Sequence, residues 1–144
     1  MAGTGQSEFW KESGRTELQL AWESVKAALD DAGLTPADVD GLVTFTLDTS
    51  EEMEVARNLG ISSLSMFTRV PYGGGASAGT VMQAAMAVAT GVADVVVCYR
   101  AFNERSGMRF GNIGGAITTM PLWLSWYAPY GLLTPASWVA LHAQ

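Results

Sequence analysis

Cysteine is scarce: the 144 residues contain one, Cys98. A single thiol excludes an internal disulfide and a cysteine-rich zinc site, and we expect no metal or cofactor. Low cysteine use is typical of the reducing cytoplasm, which is therefore the expected location. Histidine is equally rare, and for the one histidine, His142, a packing or surface role is expected rather than catalysis.

Charge is also low. Charged residues make up 15% of the chain, against about 25% in an average globular domain. The net charge of −6 argues against nucleic-acid binding, which needs clustered Lys and Arg. With so few charges, part of the surface is expected to be covered by a partner subunit or by another part of the same protein.

Long hydrophobic runs are absent. Residues 1–14 lack the apolar segment of a signal peptide. The most apolar stretch, residues 76–90, is shorter than the roughly 20 residues that span a bilayer. Neither a signal peptide nor a membrane span is predicted.

Residues 65–102 form the centre of the predicted fold. The pattern indicates a strand at 65–70, a Gly-rich turn at 71–75, a helix at 76–90 and a strand at 93–102. A strand, helix and strand in this order predict a βαβ unit. The helix is apolar on every face, which predicts that it is buried and that further layers cover it.

Earlier elements continue the alternation. A capping box at Thr16 and Gln19 opens a helix over 17–32, followed by a strand at 41–47 and a helix at 51–59. The order predicts an α/β fold with a largely parallel sheet. We divide the chain into a domain at 1–109 and an excursion at 110–144, which ends in a helix without a stop signal. The chain is therefore expected to be part of a longer protein.

The Gly-rich turn is the leading candidate site. Backbone N–H groups at the start of a buried helix attract negative charge or lower the pKa of a nucleophile. The alternative is that Gly73, Gly74 and Gly75 only let strand and helix pack closely. The spacing matches neither a P-loop nor a dinucleotide-binding fingerprint.

Several stretches resemble the thiolase superfamily, in particular lipid-transfer proteins of the sterol-carrier thiolase type: residues 27–34, 37–43, 72–75, 89–97, 100–106 and 129–135. The resemblance implies the N-terminal half of such a protein, a layered βαβαβ half-domain around a buried central helix. It also implies a dimer paired through the strand at 65–70, or a hetero-assembly with a DUF35-type OB-fold protein. An acyl-CoA thioester is the implied ligand. Some members cleave steroid side-chain CoA esters by a retro-aldol reaction.

One departure from the family decides the predicted chemistry. The thiolase nucleophile is a cysteine at the start of this helix, and the matching position is Gly74 or Ala76. Cys98 is expected in the core, where burial raises the pKa of its thiol. Without a thiolate there is no acyl-enzyme, whereas a retro-aldol cleavage needs only a base and donors to an enolate. Backbone N–H groups near Gly74, Gly75 and Ala76 are candidate donors.

Other residues are candidates on position alone. Tyr72 either donates to a thioester oxygen or packs in the core, and Asn103 follows a strand end, where α/β sheets place ligands. The Trp-rich stretch at 120–138 either lines an acyl or steroid pocket or packs against another part of the protein. Three residues are expected to form a structural ion-pair network: Arg100, Glu104 and Arg105.

The sequence thus supports two functions. The first is an acyl-CoA carbon–carbon lyase, or its N-terminal part, acting on a β-hydroxyacyl-CoA such as a steroid side-chain ester. The second is a non-catalytic protein that binds lipid or acyl-CoA, or acts as a scaffold. A true thiolase is disfavoured, because Gly74 and Ala76 offer no thiol.

Overall fold

The computed structural model describes residues 1–45, 50–70, 76–103 and 125–143. The chain forms two compact units, Met1–Phe102 and Asn103–Gln144. The predicted division after residue 109 lies outside the described residues. None of the described helices is long and apolar enough to cross a bilayer.

Helix α1 spans Glu17–Ala32, as predicted. Thr16 caps it, because its side chain accepts a hydrogen bond from the Gln19 backbone N–H at 3.1 Å. Gly33 ends it in the left-handed conformation at φ 69°. One face of α1 is apolar and buried, and Leu20, Val25 and Leu29 join the main core there.

Three parallel strands form the sheet: β1 (Gly41–Phe45), β2 (Met66–Val70) and β3 (Val96–Cys98), in the order β2-β1-β3. The predicted α/β class with a parallel sheet is confirmed. β3 is shorter than the predicted strand at 93–102, because the backbone N–H groups of Asp94 and Val95 donate to the Asp40 carboxylate and not to a neighbouring strand. The predicted last residues of the first strand lie outside the described residues.

Two helices connect the strands, α2 (Glu52–Leu59) and α3 (Ala76–Ala89). The chain moves from β1 to β2 in one direction and from β2 past β1 to β3 in the other. Right-handed crossovers therefore place α2 and α3 on opposite faces of the sheet. α2 packs with α1 over one face, whereas α3 contacts all three strands on the other.

Helix α3 is not buried on all sides, contrary to the prediction. Within the helix Thr80 and Ala87 are buried, whereas a run of large apolar side chains is exposed: Val81, Met82, Met86 and Val88. The reason is that the described residues cover α3 with the sheet on one side only. We call these four side chains the outer face of α3. Exposed apolar patches of this kind are typical of surfaces that bind another protein segment or a ligand.

The second unit is described over 125–143, apart from Asn103. A short 3-10 helix at Ala128–Tyr130 ends at Gly131, and helix α4 spans Pro135–His142. The Trp138 indole N–H donates to the Leu132 carbonyl at 2.9 Å. The predicted last helix is thus present, and Thr134 caps it, because its side chain accepts from the Ser137 backbone N–H at 3.3 Å.

We expect Met86→Asp to destabilise the complete protein by several kcal/mol, because a covered outer face would hold the new carboxylate without a partner. Met53→Asp on α2 is the matched control, since Met53 is 52% exposed and Met86 50%. The control should change the free energy of unfolding by about 0.5 kcal/mol at most. Urea unfolding measures both, and equal small effects would show that the outer face of α3 stays open to water.

Candidate functional site

The predicted site residues are only partly described. Tyr72, Gly74 and Gly75 lie outside the described residues, and α3 begins at Ala76. Asn103 is half-buried and is the first residue of the second unit. Their meeting in one site therefore stays a prediction.

The start of α3 lies at the carboxyl edge of the sheet. α3 follows the end of β2 and returns towards the start of the parallel strand β3. Its first turn, with the positive end of the helix dipole, is thus at the edge where open α/β sheets bind ligands. The position fits the predicted role of this helix start.

Cys98 is exposed, contrary to the predicted core position. The strand itself has neighbours on both faces, since α3 contacts it on one side and Val97 packs against the main core on the other. The sulfur nevertheless lies against α3, where the thiol donates to the Thr80 carbonyl at 3.5 Å. Desolvation raises the pKa of the Cys98 thiol, and a hydrogen bond with the side chain of Thr80 opposes that rise. A thiol with a raised pKa is a poor nucleophile at neutral pH.

Ser50 joins the carboxyl ends of two strands to the start of α2. Its carbonyl accepts from Arg69 Nη2 at 3.2 Å and from the Tyr99 hydroxyl at 3.4 Å. Arg69 also makes a two-pronged ion pair with Glu52, in which Nε–Oε1 and Nη2–Oε2 are each 3.1 Å. Glu52 and Ser50 are buried. The contacts fix the backbone at the carboxyl edge of β2.

Sequence reasoning missed this cluster. The sequence contains one sign of the cluster: Arg69 is the one charged residue of its strand. The acid that pairs with it, Glu52, lies in the first turn of α2. Among the described residues the Ser50 hydroxyl has no hydrogen-bond partner, although the residue is buried, with only 3% of its surface exposed. An unpartnered buried hydroxyl costs about 1–3 kcal/mol.

Arg100 lies just beyond β3, between two aromatic rings. Its Cζ is 5.1 Å from the centroid of the Phe45 ring and 5.7 Å from that of Phe102. The ion pairs of the described residues do not include Arg100. The predicted partners Glu104 and Arg105 lie outside the described residues. The predicted ion-pair network therefore stays a prediction, and in the described part of the chain Arg100 makes cation–π contacts.

The remaining candidates are His142 and groups of residues that could hold a metal ion. His142 is an exposed residue at the end of α4. Across residues 1–45, 50–70, 76–103 and 125–143, no group of His, Cys, Asp and Glu is arranged to hold a metal ion.

Two curated proteins match the whole chain, although no family model does. It is 62% identical over 149 residues to a Thermomonospora curvata protein named steroid side-chain-cleaving aldolase. It is 56% identical over 148 residues to a Mycobacterium tuberculosis protein named 17-hydroxy-3-oxo-4-pregnene-20-carboxyl-CoA lyase. The chain spans 38% of the length of each.

Solved structures also match this chain over part of their own length. A chain of the structure described as "Ltp2-ChsH2(DUF35) aldolase" matches 97% of this chain and 35% of its own length, with a TM-score of 0.82 and 64% identity. A monomeric SCP2-thiolase-like protein type 1 from Mycobacterium smegmatis matches 67% of this chain and 22% of its own length, with a TM-score of 0.56 and 26% identity. The chain therefore has a thiolase-like α/β fold.

We expect Cys98→Ala to leave the activity of the complete protein unchanged, because the raised pKa keeps the thiol protonated at neutral pH. In the wild type, alkylation by iodoacetamide should be slower than that of a free thiol and should still increase above about pH 8.5, the ordinary thiol pKa. Mass spectrometry across a pH series measures the rate. Rapid alkylation at neutral pH, or loss of activity in a folded Cys98→Ala protein, would contradict this.

Proposed function

We propose that the protein to which this chain belongs is an acyl-CoA carbon–carbon lyase. The observation that supports this most directly is the identity of 62% and 56%, over the whole chain, to proteins named as a steroid side-chain aldolase and a carboxyl-CoA lyase. The proposed substrate is a β-hydroxyacyl-CoA, such as a steroid side-chain CoA ester.

The proposed reaction is a retro-aldol cleavage. A base takes the proton of the β-hydroxyl, the Cα–Cβ bond breaks, and its electron pair moves onto the thioester as an enolate. The β-carbon leaves as a ketone, and protonation of the α-carbon gives the shortened CoA ester. The groups required are a base and donors to the enolate oxygen.

The absence of a suitable thiol supports cleavage over acyl transfer. α3 begins at Ala76, and the one cysteine of the sequence, Cys98, has a raised thiol pKa. An acyl-enzyme needs an activated nucleophile, and neither Gly74 nor Ala76 provides one. The proposed role of this helix start is to direct backbone N–H groups from Gly74, Gly75 and Ala76 at the thioester oxygen. Tyr72 and Asn103 are proposed further donors.

The proposed assembly contains more than this chain. The description of a similar structure, "Ltp2-ChsH2(DUF35) aldolase", includes DUF35, which supports a DUF35-type partner. β2 pairs on one side only among the described strands, so its other edge is available for the proposed pairing of two copies. The finer assignment, to the N-terminal half of a sterol-carrier thiolase-type lipid-transfer protein, is part of the same proposal.

The second candidate function is binding of acyl-CoA or lipid without catalysis. Its supporting observation is that Glu52, the buried acid at the start of α2, is paired with Arg69 and is therefore not free to act as a base. On this alternative the base is missing from the whole assembly, whereas on the first proposal another part supplies it.

The two functions are separated by an assay of the complete protein, with and without a DUF35-type partner. Incubation with a β-hydroxyacyl-CoA steroid ester should release a ketone and a shortened CoA ester, measured by liquid chromatography and mass spectrometry. The ester without the β-hydroxyl is the control and should remain intact. If the β-hydroxy ester binds but is recovered uncleaved, the lyase proposal fails and the binding proposal leads.

We expect Gly75→Leu to abolish turnover, because a bulky side chain at the proposed oxyanion site would displace the thioester. Removal of one oxyanion donor alone lowers kcat by about 10²–10³-fold in enzymes that use one. Turnover and the melting temperature are measured together. Unchanged turnover would refute the proposed role of this turn, and loss of turnover counts in its favour only where the melting temperature is retained.

A further inference from the structure

Arg100 is the feature of the carboxyl edge that the proposed chemistry has not yet used. Its guanidinium lies over the rings of Phe45 and Phe102, at 5.1 and 5.7 Å from Cζ to the centroids. Contacts of this kind stabilise the position of an arginine side chain weakly at exposed sites. They also restrict the long side chain to one region, so that less entropy is lost when its N–H groups bind a ligand.

Neither ring can satisfy the hydrogen-bonding capacity of the guanidinium. Arginine has five N–H donors, and a ring face offers no lone pair in return. Two other arginines are paired with acids, Arg15 with Glu23 and Arg69 with Glu52. Among the described residues, Arg100 has no such acid although the chain has 14 Asp and Glu against 8 Lys and Arg. A held but unpaired cation is suited to an anion from outside this part of the chain.

The strand alternation shows on which face Arg100 lies. The Cys98 thiol contacts Thr80 of α3, whereas Tyr99 belongs to the core beneath α1 and α2. Side chains alternate along extended backbone, so Arg100 returns to the face of α3. The contact with Phe45, the last residue of β1, places it at the carboxyl edge.

The start of α3 lies at this same edge and on this same face. The positive end of its dipole and the Arg100 guanidinium thus favour negative charge in one region. Planar guanidinium groups bind phosphates and carboxylates with paired hydrogen bonds, and they stabilise oxygens that become anionic during a reaction.

We propose that Arg100 binds an anionic oxygen of the acyl-CoA substrate. This rests on the proposed function for the identity of the ligand. An acyl-CoA offers such oxygens at two places, the phosphates of CoA and the thioester oxygen that becomes an enolate. In the second case Arg100 donates hydrogen bonds, while the electron pair of the broken Cα–Cβ bond is held on that oxygen.

The test is Arg100→Met in the complete protein with any partner it requires, compared with Arg57→Met. Arg57 is an exposed arginine on α2 that makes none of the described ion pairs. Arg100→Met should lower kcat/KM for the β-hydroxyacyl-CoA by about 100-fold or more, the effect of losing one oxyanion donor. Arg57→Met should change it less than about twofold, since a surface charge remote from the site contributes little. The melting temperature should be the same in both variants.

A second substrate distinguishes the two oxygens. The pantetheine thioester has the same acyl group but lacks the nucleotide phosphates. If Arg100 binds a phosphate, the effect of Arg100→Met should disappear with this substrate and appear mainly in KM with the CoA ester. If Arg100 binds the thioester oxygen, the loss should persist and appear in kcat. Arg100→Lys, which retains charge without the planar fork, should lie between the wild type and Arg100→Met.

Equilibrium binding of the uncleaved acyl-CoA separates this proposal from the lyase proposal. If the wild type binds but does not cleave, and Arg100→Met binds at least tenfold more weakly, the lyase proposal fails and the role of Arg100 stands. If the wild type cleaves and Arg100→Met cleaves equally well, the role of Arg100 fails alone. If both Arg100→Met and Arg100→Lys lose activity together with folding or assembly, the proposed role of Arg100 is also overturned, because such a result indicates a structural role. A wild type that neither binds nor cleaves overturns both.

Discussion

The burial of β1 is the constraint on which the rest of the structure depends. All five of its residues are buried, because strands pair on both its edges and helices cover both its faces. The chain must leave β1, return beside it, and then cross it to pair on the other edge. That path places α2 and α3 on opposite faces, and it brings Ser50, Arg69, Tyr99 and Arg100 to the carboxyl edge.

The two faces of the sheet differ in how well this chain covers them. α2 has an apolar side, with Val55, Ala56 and Leu59 buried, and a polar side towards water. α3 has no polar side, and its outer face remains exposed. Full burial of a large apolar side chain contributes about 1.5–3 kcal/mol. Four such residues that are about half-exposed therefore leave roughly 3–6 kcal/mol to be gained, a large part of the roughly 5–15 kcal/mol that stabilises a domain.

Local patterns predicted the elements, because helix and strand boundaries depend on neighbouring residues. α1 has the predicted bounds since Thr16 and Gly33 act on the adjacent backbone. Burial was predicted less well, as the exposure of α3 and of Cys98 shows, because a pattern of apolar residues indicates that a surface is covered but not which chain covers it. The contact of Arg100 with Phe45 joins residues far apart in sequence, and no local motif marks it. The resemblance directed attention to the helix start, whereas Arg100, expected from the sequence to be structural, became a candidate for ligand binding only through the geometry.

Acyl transfer and retro-aldol cleavage place the same electrostatic demand on a site. In acyl transfer the thioester oxygen becomes anionic when a nucleophile attacks the carbonyl carbon. In retro-aldol cleavage it becomes anionic when the broken carbon–carbon bond leaves its electrons behind. Donors and positive charge at the start of a helix stabilise the oxygen in both cases. A thiolase-like scaffold without its cysteine therefore retains the part of the machinery that an enolate needs and loses the part that an acyl-enzyme needs. On this argument the absence of a thiol near Ala76 changes the reaction that the fold can support and does not by itself remove catalysis.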